Sequence, residues 1–147
     1  MLKKVVDLRF AKTKDYRKTL ETIQKKGKCP FCPENFIYHK NPILKKNGDW
    51  LITLSSWPYK NSEYHFLIIS LRHKEKFSAL ELADFGSVMK LVVWAEKKFK
   101  IKGGGLVLRF GDTAYTGSTV CHLHFHLIVP KLNKKTKRAN AVWFPIG

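Results

Sequence analysis

Three of the chain's six histidines fall within five residues, at alternate positions of "CHLHFHLIVP" (121–130). In an extended strand, side chains at i, i+2 and i+4 leave the same face about 7 Å apart. His122, His124 and His126 would then line one surface and run into Leu127, Ile128 and Val129. Such a row suits metal ligation, nucleophilic attack with helpers, or a division between the two. Three successive positions on a flat strand do not converge easily on one ion, so at least one imidazole is expected to serve elsewhere. An imidazole held in one tautomer is a competent nucleophile toward phosphorus, and a neighbour can place charge on the phosphoryl oxygens.

The second constellation is Cys29-x-x-Cys32 in "CPFCPEN". It is half of a metal site, a redox pair or two buried thiols. Zinc would need two further ligands, and His39, His65, His73 and the triple row are the candidates. A Cys2His2 set is four-coordinate and closed, hence structural. Cys121 reads as a small buried hydrophobe.

The elements that must position these residues follow from local pattern. "TKDYRKTLETIQKKGK" (13–28) predicts a short helix with Thr13 as N-cap, Leu20 and Ile23 on one side and Gly27 as its stop. "FIYH" (36–39), "WLITLSS" (50–56) and "YHFLIIS" (64–70) read as strands, separated by the turn residues of "KNGD" and "PYKNSE". Residues 78–100 read as the longest helix. Ser78 and Glu81 form a capping-box pattern, Leu82, Phe85, Met89, Val92 and Val93 recur at helical spacing, and lysines gather at the C-terminal end. "GGG" (103–105) ends it, and "LVLRF" (106–110) is a strand. A Gly/Thr loop and the histidine strand follow. Residues 131–140 form a basic, solvated segment, and the apolar "AVWFPIG" tail should dock, with Trp143 and Phe144 in the core, at a subunit boundary or at a binding pocket. Helix, strands, long helix, strands argue for an α+β fold with an antiparallel sheet of about five strands.

With 147 residues, 44% hydrophobic and 13% aromatic, the chain suits one domain with a real core. Three cysteines do not make a disulfide framework, and no apolar run is long enough for a signal peptide or a membrane span. A cytoplasmic protein is expected. The net charge of +17 favours anionic partners, whether nucleotides, polyphosphates or nucleic acid.

Taken in order, these pieces resemble the histidine-triad (HIT) superfamily. "HLHFHLIVP" resembles its signature, "HFLIISLRH" (65–73) its upstream pair of histidines, and "LRFGDTAYTGSTVCHLHFH" the strand and glycine loop before the triad. "CPFC" resembles the zinc half-site of the zinc-bearing branch, and the whole is most similar to diadenosine polyphosphate phosphorylases and hydrolases. The resemblance implies a single HIT domain over 1–147, with the core at 28–130. It implies that His124 is the nucleophile, forming a nucleotidyl-histidine, and that His126 contacts the phosphate. It further implies a structural zinc on Cys29, Cys32, His73 and His122, and an α-phosphate loop at Gly117, Ser118 and Thr119. Arg109 stands where the family often has Asn, and Ser55 near a ribose-binding position; both are expected to touch substrate. A homodimer is implied. The rival expectations are an enzyme removing adenylate from a nucleic-acid 5′ end, favoured by the charge, and a non-catalytic nucleotide-binding module.

Overall fold

The computed structural model describes residues 3–147, so the first two residues of the single-domain span lie outside it. Capping chemistry sets the first helix, α1 (Lys14–Lys26). Thr13 Oγ1 accepts from the Tyr16 N–H at 3.1 Å, and Gly27 ends the helix in the left-handed region at φ 62°. Leu20 and Ile23 are buried, as their spacing predicts, against Val5, Val6, Cys29 and Val120.

Five strands form one antiparallel sheet: β1 (Ile43–Asn47), β2 (Trp50–Leu54), β3 (Ser62–Ser70), β4 (Gly105–Leu108) and β5 (His124–Pro130). Their spatial order is β1-β2-β3-β5-β4. α2 (Leu82–Lys98) joins β3 to β4, and the short α3 (Thr113–Thr116) lies in the loop before β5. The architecture is α+β, as expected. The central strands are buried on both faces, so β3 carries an apolar run from Phe66 to Ile69 and β5 one from Leu127 to Val129 after its two buried histidines. On one face Phe66, Ile68, Phe125 and Leu127 pack with Trp50 and Ile52 against Val88, Leu91 and Ala95 of α2. Alternation sends Leu67, Ile69, His65, His124 and His126 to the opposite face.

Several local expectations are corrected. "FIYH" is not a strand: Pro33–Tyr38 form a 3-10 turn, started by Pro33 and closed by Phe36 stacked on His39 at 4.7 Å. The strand beside β2 is instead "ILKKN", polar because it is an edge. The long helix starts at Leu82, since Phe77–Ala79 make a separate 3-10 turn and Ser78 caps nothing. The Glu81 N–H donates to Asp84 Oδ2 at 2.8 Å, and Asp84 also accepts from Trp50 Nε1 and Lys74 Nζ, each at 2.8 Å. Long-range bonds therefore fix the helix start. Its inward face is Val88, Leu91 and Ala95, whereas Leu82 is 91% exposed and Met89 62% exposed, with Phe85 and Val93 on the same outer stripe. The 131–140 segment is not wholly loop; it carries a small exposed hairpin, β6 (Leu132–Asn133) with β7 (Arg138–Ala139). In the tail Trp143 is 85% exposed rather than core but reaches the lining of the cavity that His124 and His126 share, and Phe144 turns inward.

Candidate active site and metal centre

His122 lies in a bend just before β5, not within it, and so leaves the row of its two companions. Its Nε2 stands 2.7 Å from the Ser70 carbonyl oxygen, which can only accept, so Nε2 carries the proton. The Nδ1 lone pair then faces Cys29 Sγ at 3.3 Å and Cys32 Sγ at 3.8 Å. His73 is arranged alike: Nε2 donates to Glu75 Oε1 at 2.7 Å, and Nδ1 faces Cys32 Sγ at 3.5 Å. All four donor atoms lie within 4.8 Å of one another. A tetrahedral zinc, with bonds of about 2.0–2.3 Å, needs ligand spacings of roughly 3.5 Å, so this quartet fits one. The second partner of each imidazole orients its free nitrogen inward, as metal-binding histidines require. Burial, then the neighbouring Cys29, push the Cys32 thiol up to about 12, which is the reverse of a reactive redox pair. Cys121 is outside this cluster, and burial raises its thiol too. His39 is also outside it, with Nε2 2.7 Å from Thr53 Oγ1.

Of the remaining triad members, His126 forms a tautomer chain with a residue to which the sequence assigns no clear role, His65, while His124 is held separately. The Tyr59 N–H donates to His65 Nδ1 at 3.1 Å, so the neutral ring carries its proton on Nε2. That Nε2–H donates to His126 Nδ1 at 2.8 Å, which places the His126 proton on Nε2. This atom is buried and has no partner. His124 has the opposite arrangement. Its Nδ1–H donates to the His122 carbonyl at 2.7 Å, leaving a lone pair on Nε2. Burial is the main cause that lowers His124 to about 3, His65 to about 4 and His126 well below the usual histidine value. Neutral imidazoles in fixed tautomers result: one presents a lone pair, the other an N–H. The signal for His65 was in the sheet register. It pairs with Ile128 on β5, which makes it the diagonal same-face neighbour of His126.

His65, His124 and His126 line a cavity of about 510 Å³. Tyr16, Phe31, Tyr38 and Trp57 give it an aromatic wall, and Lys12, Lys60 and Arg109 are its charged lining residues. Of the expected substrate-binding residues, Ser55, Gly117, Thr119 and Arg109 reach it and Ser118 does not. The Ser118 hydroxyl donates to the Val120 carbonyl at 3.2 Å, and its N–H donates to Thr116 Oγ1. Gly117 is left-handed at φ 66°, and a Cβ there would lie 2.5 Å from the Gly147 carbonyl oxygen. Thr119 Oγ1 is 2.7 Å from the Tyr16 hydroxyl. Arg109 donates from Nη1 to the carbonyls of Gly117 (3.4 Å) and Pro145 (3.2 Å) and lies over the Phe144 ring. Phe144 in turn packs edge-on to His126 at 4.9 Å.

The lip of this loop is braced from the N-terminal side. Asp7 N–H donates to the Thr119 carbonyl and Cys121 N–H to the Val5 carbonyl, around a Val6–Val120 bridge. The Asp7 carboxylate is buried and accepts from Arg9, Lys4 and Thr113. Hydrogen bonding from Arg9 is the largest influence holding it well below the usual carboxylate range.

Known proteins share this arrangement of elements. No curated protein matches the chain in sequence. Among solved structures, a histidine triad protein from Clostridium difficile is 17% identical, with a TM-score of 0.58, over 71% of this chain and 92% of its own. A histidine triad nucleotide-binding protein of hypothetical status from Sulfolobus tokodaii is 23% identical, with a TM-score of 0.55, over 78% of each chain. A protein described as Hit-like is 24% identical, with a TM-score of 0.53, over 67% of this chain and 96% of its own. These likenesses show a common fold. The HIT domain model matches residues 40–133. That span holds β1 to β5, α2 and all three triad histidines, more than half of the molecule, and on it the chain belongs to the HIT domain family.

Proposed function

We propose that the protein is a nucleotidyl hydrolase or transferase that cleaves a dinucleoside polyphosphate, or a related nucleotide anhydride, at its α-phosphate. One observation carries the reading: His124 Nε2 holds a lone pair while His126 Nε2 holds an unsatisfied proton, on neighbouring rings 4.9 Å apart in one cavity. In the first step His124 Nε2 attacks the α-phosphorus. An N–P bond forms, the P–O bond to the rest of the phosphate chain breaks, and that oxygen leaves with the bonding pair. The His124 Nδ1–H stays on the His122 carbonyl, which stabilises the positive ring. His126 Nε2–H donates to a phosphoryl oxygen, supported through His65. In the second step water or inorganic phosphate attacks phosphorus and releases His124. The aromatic wall receives the nucleoside base. Incubation with dinucleoside polyphosphates, with and without phosphate, tests the reading: mononucleotide products support it and none would overturn it.

Cys29, Cys32, His73 and His122 are the residues that would hold zinc. When bound it supplies a structural tie between the N-terminal loop and the base of the triad, outside the reaction path. The whole chain acts as one domain, in the cytoplasm. Among the described residues no helix is long and apolar enough to cross a membrane. A second copy is the occupant proposed for the outer stripe of α2. Leu82, Phe85, Met89 and Val93 lie exposed there, and β4, with exposed Leu106, is an edge strand.

A further inference from the structure

The family match begins at residue 40, yet much of the cavity wall comes from residues 10–38. Lys12 is one of these. Its ammonium lies 3.7 Å from the centroid of the Tyr59 ring. Tyr59 in turn packs against His65 at 4.5 Å, His126 at 5.9 Å and Phe144 at 5.8 Å. The side chain therefore reaches the mouth of the site from outside the span that matches the HIT domain. Among the described residues Lys12 is in no ion pair, although Lys3, Lys4, Arg9 and Lys74 all are.

The cavity lining contains no Asp or Glu. Arg109 is already committed to two carbonyls, and its Nε is buried without a partner. Burial, and then Arg109, lower the Lys12 ammonium below its ordinary value, and with Lys60 on the same lining three cations face one space with no carboxylate to offset them. An anion is what such a space accepts. The neutral histidines supply a lone pair and one N–H, which suffices for the phosphoryl group under attack. They offer no positive charge to the oxygen that departs.

We infer that Lys12, with Arg109, holds the phosphate chain on the leaving side of the scissile bond, and so selects substrates whose leaving group is a phosphate anion over those that lose an alcohol or a phenol. The inference rests on the phosphoryl-transfer reading above. Lysine suits this place as a point charge on a flexible stem, resting on Tyr59 until an anion is present.

The test compares kcat/KM for diadenosine tetraphosphate with that for the p-nitrophenyl ester of AMP, in the parent chain and in Lys12→Ala, Lys12→Arg and Lys14→Ala. Lys12→Ala should lower the polyphosphate value by about 10²-fold, the size of one lost transition-state donor, and the ester value far less. The ratio of the two should shift by about tenfold or more. Lys12→Arg should recover most of it, and Lys14→Ala, a cation outside the cavity, should leave the ratio alone. An equal loss on both substrates, or a Lys14→Ala effect as large as that of Lys12→Ala, overturns the inference and leaves the phosphoryl-transfer reading standing. A parent chain that cleaves neither substrate overturns both.

Discussion

The His65 ring donates its Nε2–H to His126 Nδ1 across 2.8 Å, joining strands β3 and β5 through two imidazoles. This bond decides which nitrogen of His126 faces the cavity with a proton. Replacing His65 with Gln, whose amide can still donate, should lower turnover less than replacing it with Leu. His126→Ala should lower kcat by about 10²–10³-fold with binding retained. Equal, small effects in all three variants would show that the relay is idle.

His124→Ala should abolish turnover while nucleotide still binds. Rapid quenching of the parent protein with substrate should reveal a nucleotide mass added to the peptide holding His124, and the alanine variant should lack it. An adduct on another residue would reassign the nucleophile.

Acid should silence the site late. Burial, then Lys12 and Arg109, push His65 down to about 4, so its Nδ1 keeps accepting from Tyr59 at pH 5. The groups facing it are Tyr59, His126, Lys12 and Arg109. The acid limb of kcat/KM should therefore lie below pH 5 and not near the usual histidine value of about 6.5. In Lys12→Ala the limb should move upward, since a proton on His65 is then less opposed. A limb at 6.5 in the parent would contradict this.

Elemental analysis should find about one zinc per chain. Cys29→Ser should lower the melting temperature sharply, and a strong chelator should lower it in the parent to a similar degree. Protein prepared without chelator that carries no metal would refute the site.

The outer face of α2 is expected to pair two copies. Met89→Glu and Leu106→Glu should each convert a dimer, as measured by light scattering, into a monomer that keeps its far-ultraviolet circular dichroism. A parent chain that is already monomeric at micromolar concentration would show that this stripe has no self-partner.

How much of this was legible before folding differs by element. Thr13 and Gly27 mark both ends of α1 because capping is local chemistry, complete within four residues. β3 is legible because burial on both faces writes the apolar run Phe66 to Ile69, and β5 because His124 and His126 alternate with Phe125 before the apolar Leu127 to Val129. The orientation of α2 was not. Leu82, Phe85, Met89 and Val93 form as good a stripe as Val88, Leu91 and Ala95, and only the sheet decides which turns inward. Its start was missed for a like reason, since Asp84 is fixed by Trp50 and Lys74, which lie far away in sequence or outside the helix. At the site, residue types left the zinc ligands as Cys29, Cys32 and a choice among the histidines; the resemblance to the HIT superfamily named Cys29, Cys32, His73 and His122, which the fold brings within one cluster. The resemblance also placed Ser118 at the phosphate loop, but its hydroxyl turns to the Val120 carbonyl, outside the cavity. Lys12 had no local signal, because its place on Tyr59 depends on how residues before the domain core cross its mouth.

Asp7 adds a stability prediction at low pH. Its carboxyl, held low chiefly by Arg9, contributes stability that is fully present above the unfolded carboxylate value of about 4 and is lost as pH falls through the folded one. Asp7→Asn should therefore destabilise the protein at pH 7 and matter progressively less on acidification, as urea unfolding would measure. An equal loss at both extremes would mean that packing, and not charge, is the cause.

The pairing of residues 5–7 with 119–121 also bears on how the loop at Gly117 and Thr119 meets its substrate. A glycine loop left free in solution must surrender roughly 1–2 kcal/mol of conformational entropy for each residue it fixes. Here backbone bonds from Asp7 and to Val5, and the Tyr16–Thr119 contact, already hold the loop's far end in the folded chain. The disorder of that segment is lost once, when the protein folds, and not again at every turnover.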